Sequence, residues 1–351
     1  MDRFSIRRQV SILYSLATIV GLLVPTRALS EAPSVTCPKV LMFDGVHIDK
    51  HNNEAAVKYW GQKIGVDGFF VNGVVPDWDR TVGDDENSQS YQRVKQFQDL
   101  YAKYGVTENF IKIALYKPHN WKDSAAQAHV VTVFRQAAHL ARYAGLKGLA
   151  LDLEPYVKDY WTIDPAFPEK AERVSALGKQ IGDAIASEFP TAVMIVLPEI
   201  LSYTCPPYQQ PTCDSYALSS LFWAGLSQAH FRQLIIATEN SYNAPQPDSV
   251  VNSVKDVYTK DLRTRGIDPK TLVVVPGIWP LGKSYTDKAA RSTPSQFKER
   301  LRAAAQGTSP YIWIYGHGSA WEKDGPYGKG DVDSQFEQFI QVVHQFKQAC
   351  H

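Results

Sequence analysis

The stretch GLALDLEPY, Gly148 to Tyr156, sets two carboxylates where a buried strand should be apolar. Side chains alternate across a strand, so Asp152 and Glu154 share a face with Ala150, while Leu149, Leu151 and Leu153 share the other. Other apolar runs end the same way. Asp44 closes VLMFD, Asn72 closes GFFVN, Tyr116 closes IKIALY, Glu199 closes AVMIVLPE, Glu239 closes LIIATE and Trp279 closes LVVVPGIW, while YIWIYGH carries Trp313, Tyr315 and His317. Several carboxylates among flat rings suit one chemistry in particular. Breaking a glycosidic bond takes one protonated carboxyl to donate to the leaving oxygen and one carboxylate to attack the sugar or activate water. Burial and neighbouring negative charge raise a carboxyl's pKa, which keeps a donor protonated near neutral pH. Trp and Tyr stack on the apolar faces of sugar rings, and Asn and His bond their hydroxyls. No His-x-His pair, His/Cys cluster or Glu-x-x-His helix stands ready to build a metal centre, so no metal and no organic cofactor is expected.

The elements that would position these residues alternate regularly. Eight short β-branched or aromatic runs are separated by longer amphipathic ones, such as NEAAVKYWGQKIG, AQAHVVTVFRQAAHLARYAG and TPSQFKERLRAAAQG. Several of the helical stretches end in Gly, a common stop. Eight βα units over this length predict an α/β fold: a single-domain (β/α)8 TIM barrel spanning 31–351, with its chemistry at the carboxyl ends of the strands. A doubly wound open sheet is the alternative, but FDGVHIDKHNN after the first strand lacks the Gly-rich phosphate loop that fold usually brings.

The chain has 351 residues, 44% hydrophobic and 21% charged, enough for a sizeable core. Residues 1–30 have a basic lead (Arg3, Arg7, Arg8), an apolar run from Val10 to Val24 and small residues at Ala28 and Ser30, and read as a cleaved signal peptide. The run is short for a membrane anchor. Cleavage after Ser30 would remove four Arg and one Asp and take the net charge from +1 to −2. That balance offers no electrostatic footprint for nucleic acid. Four cysteines in an exported chain favour disulfides over free thiols. Cys205 and Cys213 bracket the loop CPPYQQPTC, and Cys37 and Cys350 would join the two ends of the mature chain at the bottom of the barrel.

The LDLE strand end resembles the Asp-x-Glu of family 18 chitinases and family 25 lysozymes, both (β/α)8 glycosidases. The resemblance implies Glu154 as proton donor and Asp152 as the residue that orients or stabilises it. It also implies a match for Asp44 with an Asp on the first strand of family 25, and for Glu239 with a carboxylate on the sixth. Two further Asp of the family 18 strand are replaced by Lys147 and Ala150. Glu154-Pro155 is similar to the Asn-Glu-Pro of the large retaining β-glycosidase clan, but the seventh strand has no nucleophilic Glu.

Taken together, the residues and the resemblance lead to a secreted or periplasmic monomer that hydrolyses glycosidic bonds of a polysaccharide or glycan. Glu154 is its acid/base, Glu239 or Glu199 the second carboxylate and Asp152 the modulator. Substrate contacts are expected from Asp44, Asn72, Trp78, Tyr116, Tyr203, Trp279, Trp313, Tyr315 and His317. A carbohydrate-binding barrel without catalysis is the alternative. A lyase or aldolase using Lys112 through a Schiff base is a third reading. The bland reading of Asp152 and Glu154 is a buried ion pair with Lys112 or Lys147.

Overall fold

Apolar residues on both faces of a strand require cover on both sides, and each of the eight runs has it. In the computed structural model, which describes residues 37–43, 45–155, 157, 159–197, 216–269, 272–281, 291–307, 309–316, 321 and 334–349, every one of those runs is a strand. They are β1 (Lys39–Phe43), β2 (Gly68–Val71), β3 (Phe110–Ala114), β4 (Gly148–Asp152), β5 (Val193–Leu197), β6 (Gln233–Thr238), β7 (Leu272–Ile278) and β8 (Tyr311–Tyr315). They pair in parallel in sequence order, and β8 closes on β1 from Lys39↔Tyr311 to Phe43↔Tyr315. Thr36–His351 forms one compact unit, a (β/α)8 TIM barrel.

A helix follows each strand. The first, α1, begins as Glu54–Val57 and continues as a π-helix over Lys58–Ile64; the others are α2 (Gln89–Ala102), α3 (Ser124–Ala144), α4 (Lys170–Glu188), α5 (Ser219–Leu226), α6 (Pro247–Thr264), α7 (Pro294–Ala305) and α8 (Ser334–Ala349). Their ends obey local chemistry. Asp123 accepts the Ala125 and Ala126 N–H groups at the start of α3, and Gly145, at φ 78°, ends it in the left-handed region open to glycine. Thr293 and Gln296 form a reciprocal capping box at the start of α7, with Pro294 in its first turn. Among the described residues, no helix is long and apolar enough to cross a membrane.

Two apolar layers result. Val130, Phe134, Ala137 and Ala141 on α3 recur at helical spacing and belong to the outer layer between helices and sheet. Leu41, Phe43, Phe70, Phe110, Ala150 and Trp313 belong to the inner layer that fills the barrel. That inner set decides which way the strand ends face. It holds alternate residues of β1, β3, β4 and β8, so Lys112, Asp152 and Tyr315 lie on the same inward side.

The bottom of the barrel is tied by charge. Asp67, just before β2, accepts the Val40 N–H at 2.7 Å and meets Lys39 Nζ at 3.3 Å and Lys347 Nζ at 2.6 Å. The last helix therefore meets the first strand at this face. Cys37 is not a free thiol; Cys350, Cys205 and Cys213 lie outside the described residues.

Candidate active site at the barrel mouth

The acidic side of the mouth is built from β4 upward. Asp152 is its last residue, and the ladder runs one step further, with Leu153 N–H donating to Leu197 O at 2.8 Å. Trp161 Nε1 then donates to Leu153 O at 2.9 Å, and Asp152 Oδ1 accepts the Glu154 N–H at 3.2 Å. Three hydrogen bonds thus fix the backbone from which Glu154 projects, half-buried. The other oxygen of Asp152, Oδ2, lies 3.6 Å from Lys112 Nζ, and each side chain is only 4% exposed. The ion pair of the bland reading is present for Asp152. Lys147 is engaged elsewhere, 3.3 Å from Glu108 at the bottom of the barrel.

Glu239 follows β6 and is also half-buried. Its carbonyl accepts the Tyr242 N–H at 2.9 Å, and two residues on, Ser241 bridges β6 to β7. The Ser241 hydroxyl accepts Gly277 N–H at 2.8 Å and shares its proton between Gly277 O at 2.9 Å and Thr238 O at 3.1 Å. What joins the β4 and β6 acids is Tyr216, just before α5. Burial pushes its phenol up to about 12, and the negative charges of Glu154, Asp152 and Glu239 push the same way. Three carboxylates at or just past the ends of two non-adjacent strands therefore act on one hydroxyl.

Across the mouth stands an aromatic wall. Tyr242 and Tyr315 stack with centroids 5.5 Å apart and planes 6° apart; Trp279 lies 5.7 Å from Tyr242 and 5.2 Å from Tyr315, and Phe43 lies 5.4 Å from Tyr315. Trp279, the expected stacking platform, keeps only 5% of its surface, so Tyr242 and Tyr315 present more of the wall.

Two expected contacts are corrected. Trp78 is fully buried among His119, Phe134, Tyr160, Trp161 and Phe222, packed by loops and helices that its run VPDWDR does not foreshadow. Trp313 is also fully buried: it fills the barrel axis, where Gly277 makes room, since a Cβ there would come within 2.5 Å of the indole. Neither indole has a face open to a ligand. Tyr116 is 52% exposed after β3, and Asn72 is half-buried at the end of β2, its carbonyl accepting Ile48 N–H at 3.0 Å. Asp44, Glu199, Tyr203 and His317 lie outside the described residues.

Tyr216, Ser241 and Tyr242 were missed by sequence reasoning because they sit in loops, where neither period 2 nor period 3.6 marks a facing direction. Glu239-Asn240-Ser241-Tyr242 does follow a strand end, and that position is the one signal that could have found the last two. Among the described residues, no group of three or more His, Cys, Asp and Glu could hold a metal ion.

No family model and no curated protein matches the chain. Solved structures with a similar fold include endo-glycoceramidase II from Rhodococcus sp., at 13% identity and TM-score 0.50, with 88% of this chain and 79% of that one covered. A GH18 chitinase from Pseudoalteromonas aurantia aligns at 11% identity and TM-score 0.45 over 88% and 99% of the two chains. A sugar phosphate isomerase/epimerase from Parabacteroides distasonis ATCC 8503 aligns at 10% identity and TM-score 0.44 over 87% and 96%. At these identities the likeness is one of fold, and activity must be argued from the mouth itself.

Proposed function

We propose that this chain is a glycoside hydrolase acting on a polysaccharide or glycan. What supports the reading is that Asp152 at the end of β4, Glu154 just past it and Glu239 just past β6 all act electrostatically on the Tyr216 phenol, beside a stacked tyrosine pair. Glu154, held by its backbone and half open to solvent, gives its proton to the glycosidic oxygen as the bond to the anomeric carbon breaks. Glu239 supplies the carboxylate that attacks that carbon or takes a proton from the water that does, with Glu199 as the other candidate. Asp152 orients Glu154 through the 3.2 Å bond to its N–H. Tyr242 and Tyr315 take the apolar face of a sugar ring. We further infer that the protein is an exported monomer, with Cys37–Cys350 and Cys205–Cys213 disulfides and a carbohydrate as its partner.

A glycan library assayed for released reducing ends tests the reading. Glu154→Gln should keep the circular dichroism of the wild type and lower turnover about a hundredfold or more. Wild-type turnover by that variant on the substrate so found would refute the assignment. The Lys112–Asp152 ion pair, which neutralises one of the acids, favours a second reading: a barrel that binds glycans without cleaving them. Binding without product in the same screen would select it.

A further inference from the structure

Lys112 stands inside the barrel on β3. Its register pairs it with Ala150, while Ala114 pairs with Asp152, so Asp152 starts two residues nearer the mouth, a rise of about 6.6 Å. The lysine's long flexible stem bridges that rise, and the single methyl of Ala150 leaves it room. The ammonium arrives 3.6 Å from Asp152 Oδ2 and 4.1 Å from the centre of the Phe43 ring, whose face favours a cation. An unpaired ion at this depth is strongly disfavoured, so the pair holds both charges in place and fixes the carboxylate's orientation. The remaining oxygen, Oδ1, is thereby aimed at the Glu154 N–H.

We propose that Lys112 is a positioning residue of the site: it holds Asp152 as a permanent anion, a hydrogen-bond acceptor beneath Glu154 that never serves as a proton donor. The role in catalysis rests on the hydrolase reading; the charge state does not. Glu154 two residues past β4, Glu239 after β6 and the Tyr216 phenol share the mouth with Asp152. When ionised, all three favour a proton on Asp152, and Lys112 opposes them.

Carboxyl carbon-13 NMR of the full chain, labelled at Asp Cγ, tests this without any substrate, so its outcome is independent of whether the chain hydrolyses sugars. The Asp152 signal is assigned by its absence in Asp152→Asn. In the wild type it should keep the shift of an anion from about pH 8 down to about pH 4, at or below the ordinary Asp range. In Lys112→Met, and in Lys112→Gln, the protonation midpoint should move up by about one unit or more, a gain of about tenfold or more in proton affinity. An unchanged midpoint in a folded variant would overturn the proposal. So would a wild-type Asp152 whose protonation midpoint lies above about pH 4, and that measurement decides the matter if neither variant folds.

Discussion

Replacing Ser241 with Ala removes one oxygen from a site with no access to water. The hydroxyl is the acceptor for Gly277 N–H at 2.8 Å and the donor shared by Gly277 O and Thr238 O. Losing it leaves a buried N–H without that partner, at about 1–3 kcal/mol, and removes a bond to the two carbonyls worth about 1 kcal/mol. The expected loss is about 3 kcal/mol. Unfolding entropy near 2.1 cal/mol/K per residue, over a unit of roughly 316 residues, makes that a fall in Tm of about 4–5 °C. Scanning calorimetry measures it, with Ser227→Ala as the control. Ser227 donates to Ala224 O at 2.8 Å in a half-buried setting where water can replace it, so that variant should lose less than about 0.5 kcal/mol. A Ser241→Ala chain that melts with the control would refute the strand-bridging role. If the hydrolase reading holds, turnover should fall with stability, because Glu239 lies two residues upstream of the bridge.

Gly277→Ala should destabilise by about 2 kcal/mol or more, read by the same calorimetry, because its Cβ would meet the Trp313 ring at 2.5 Å and the Thr238 backbone oxygen at 2.8 Å. A Tm unchanged within about 1 °C would show that the barrel axis is looser than its packing implies. His119 carries a pH dependence. Burial lowers its pKa from 6.5 to about 4, so between those values the unfolded chain binds a proton that the folded one refuses. Stability contributed by the neutral ring is complete above about pH 6.5 and is lost as the pH falls toward about 4, by at most about 3 kcal/mol before allowing for the solvent that reaches the ring. His119→Phe should narrow the difference between urea midpoints at about pH 5 and about pH 7; an unchanged difference would place the dependence on other groups.

The barrel was legible because eight apolar runs alternate with amphipathic ones, and closure is how such a series buries both faces of every strand. The acids at the ends of β4 and β6 were legible too, since period-2 alternation shows that Asp152 and Glu154 break an apolar face together. Aromatic residues were the weak point. Nothing local marks a ring that fills a core, so Trp78, Trp279 and Trp313 read like Tyr315 until packing showed the three indoles buried and Tyr315 half-buried.

By itself, the sequence determined which residue types stand at each strand end, because the side-chain period depends only on the backbone. Tertiary structure alone decided which of them meet. Lys112 reaches Asp152 only because β3 lies beside β4 in one register, and Tyr216 feels carboxylates more than 60 residues before it and more than 20 after it only because β4 and β6 flank β5 in the barrel. Coulomb forces and hydrogen bonds act through space, over a few ångströms, and separation along the chain leaves those distances open.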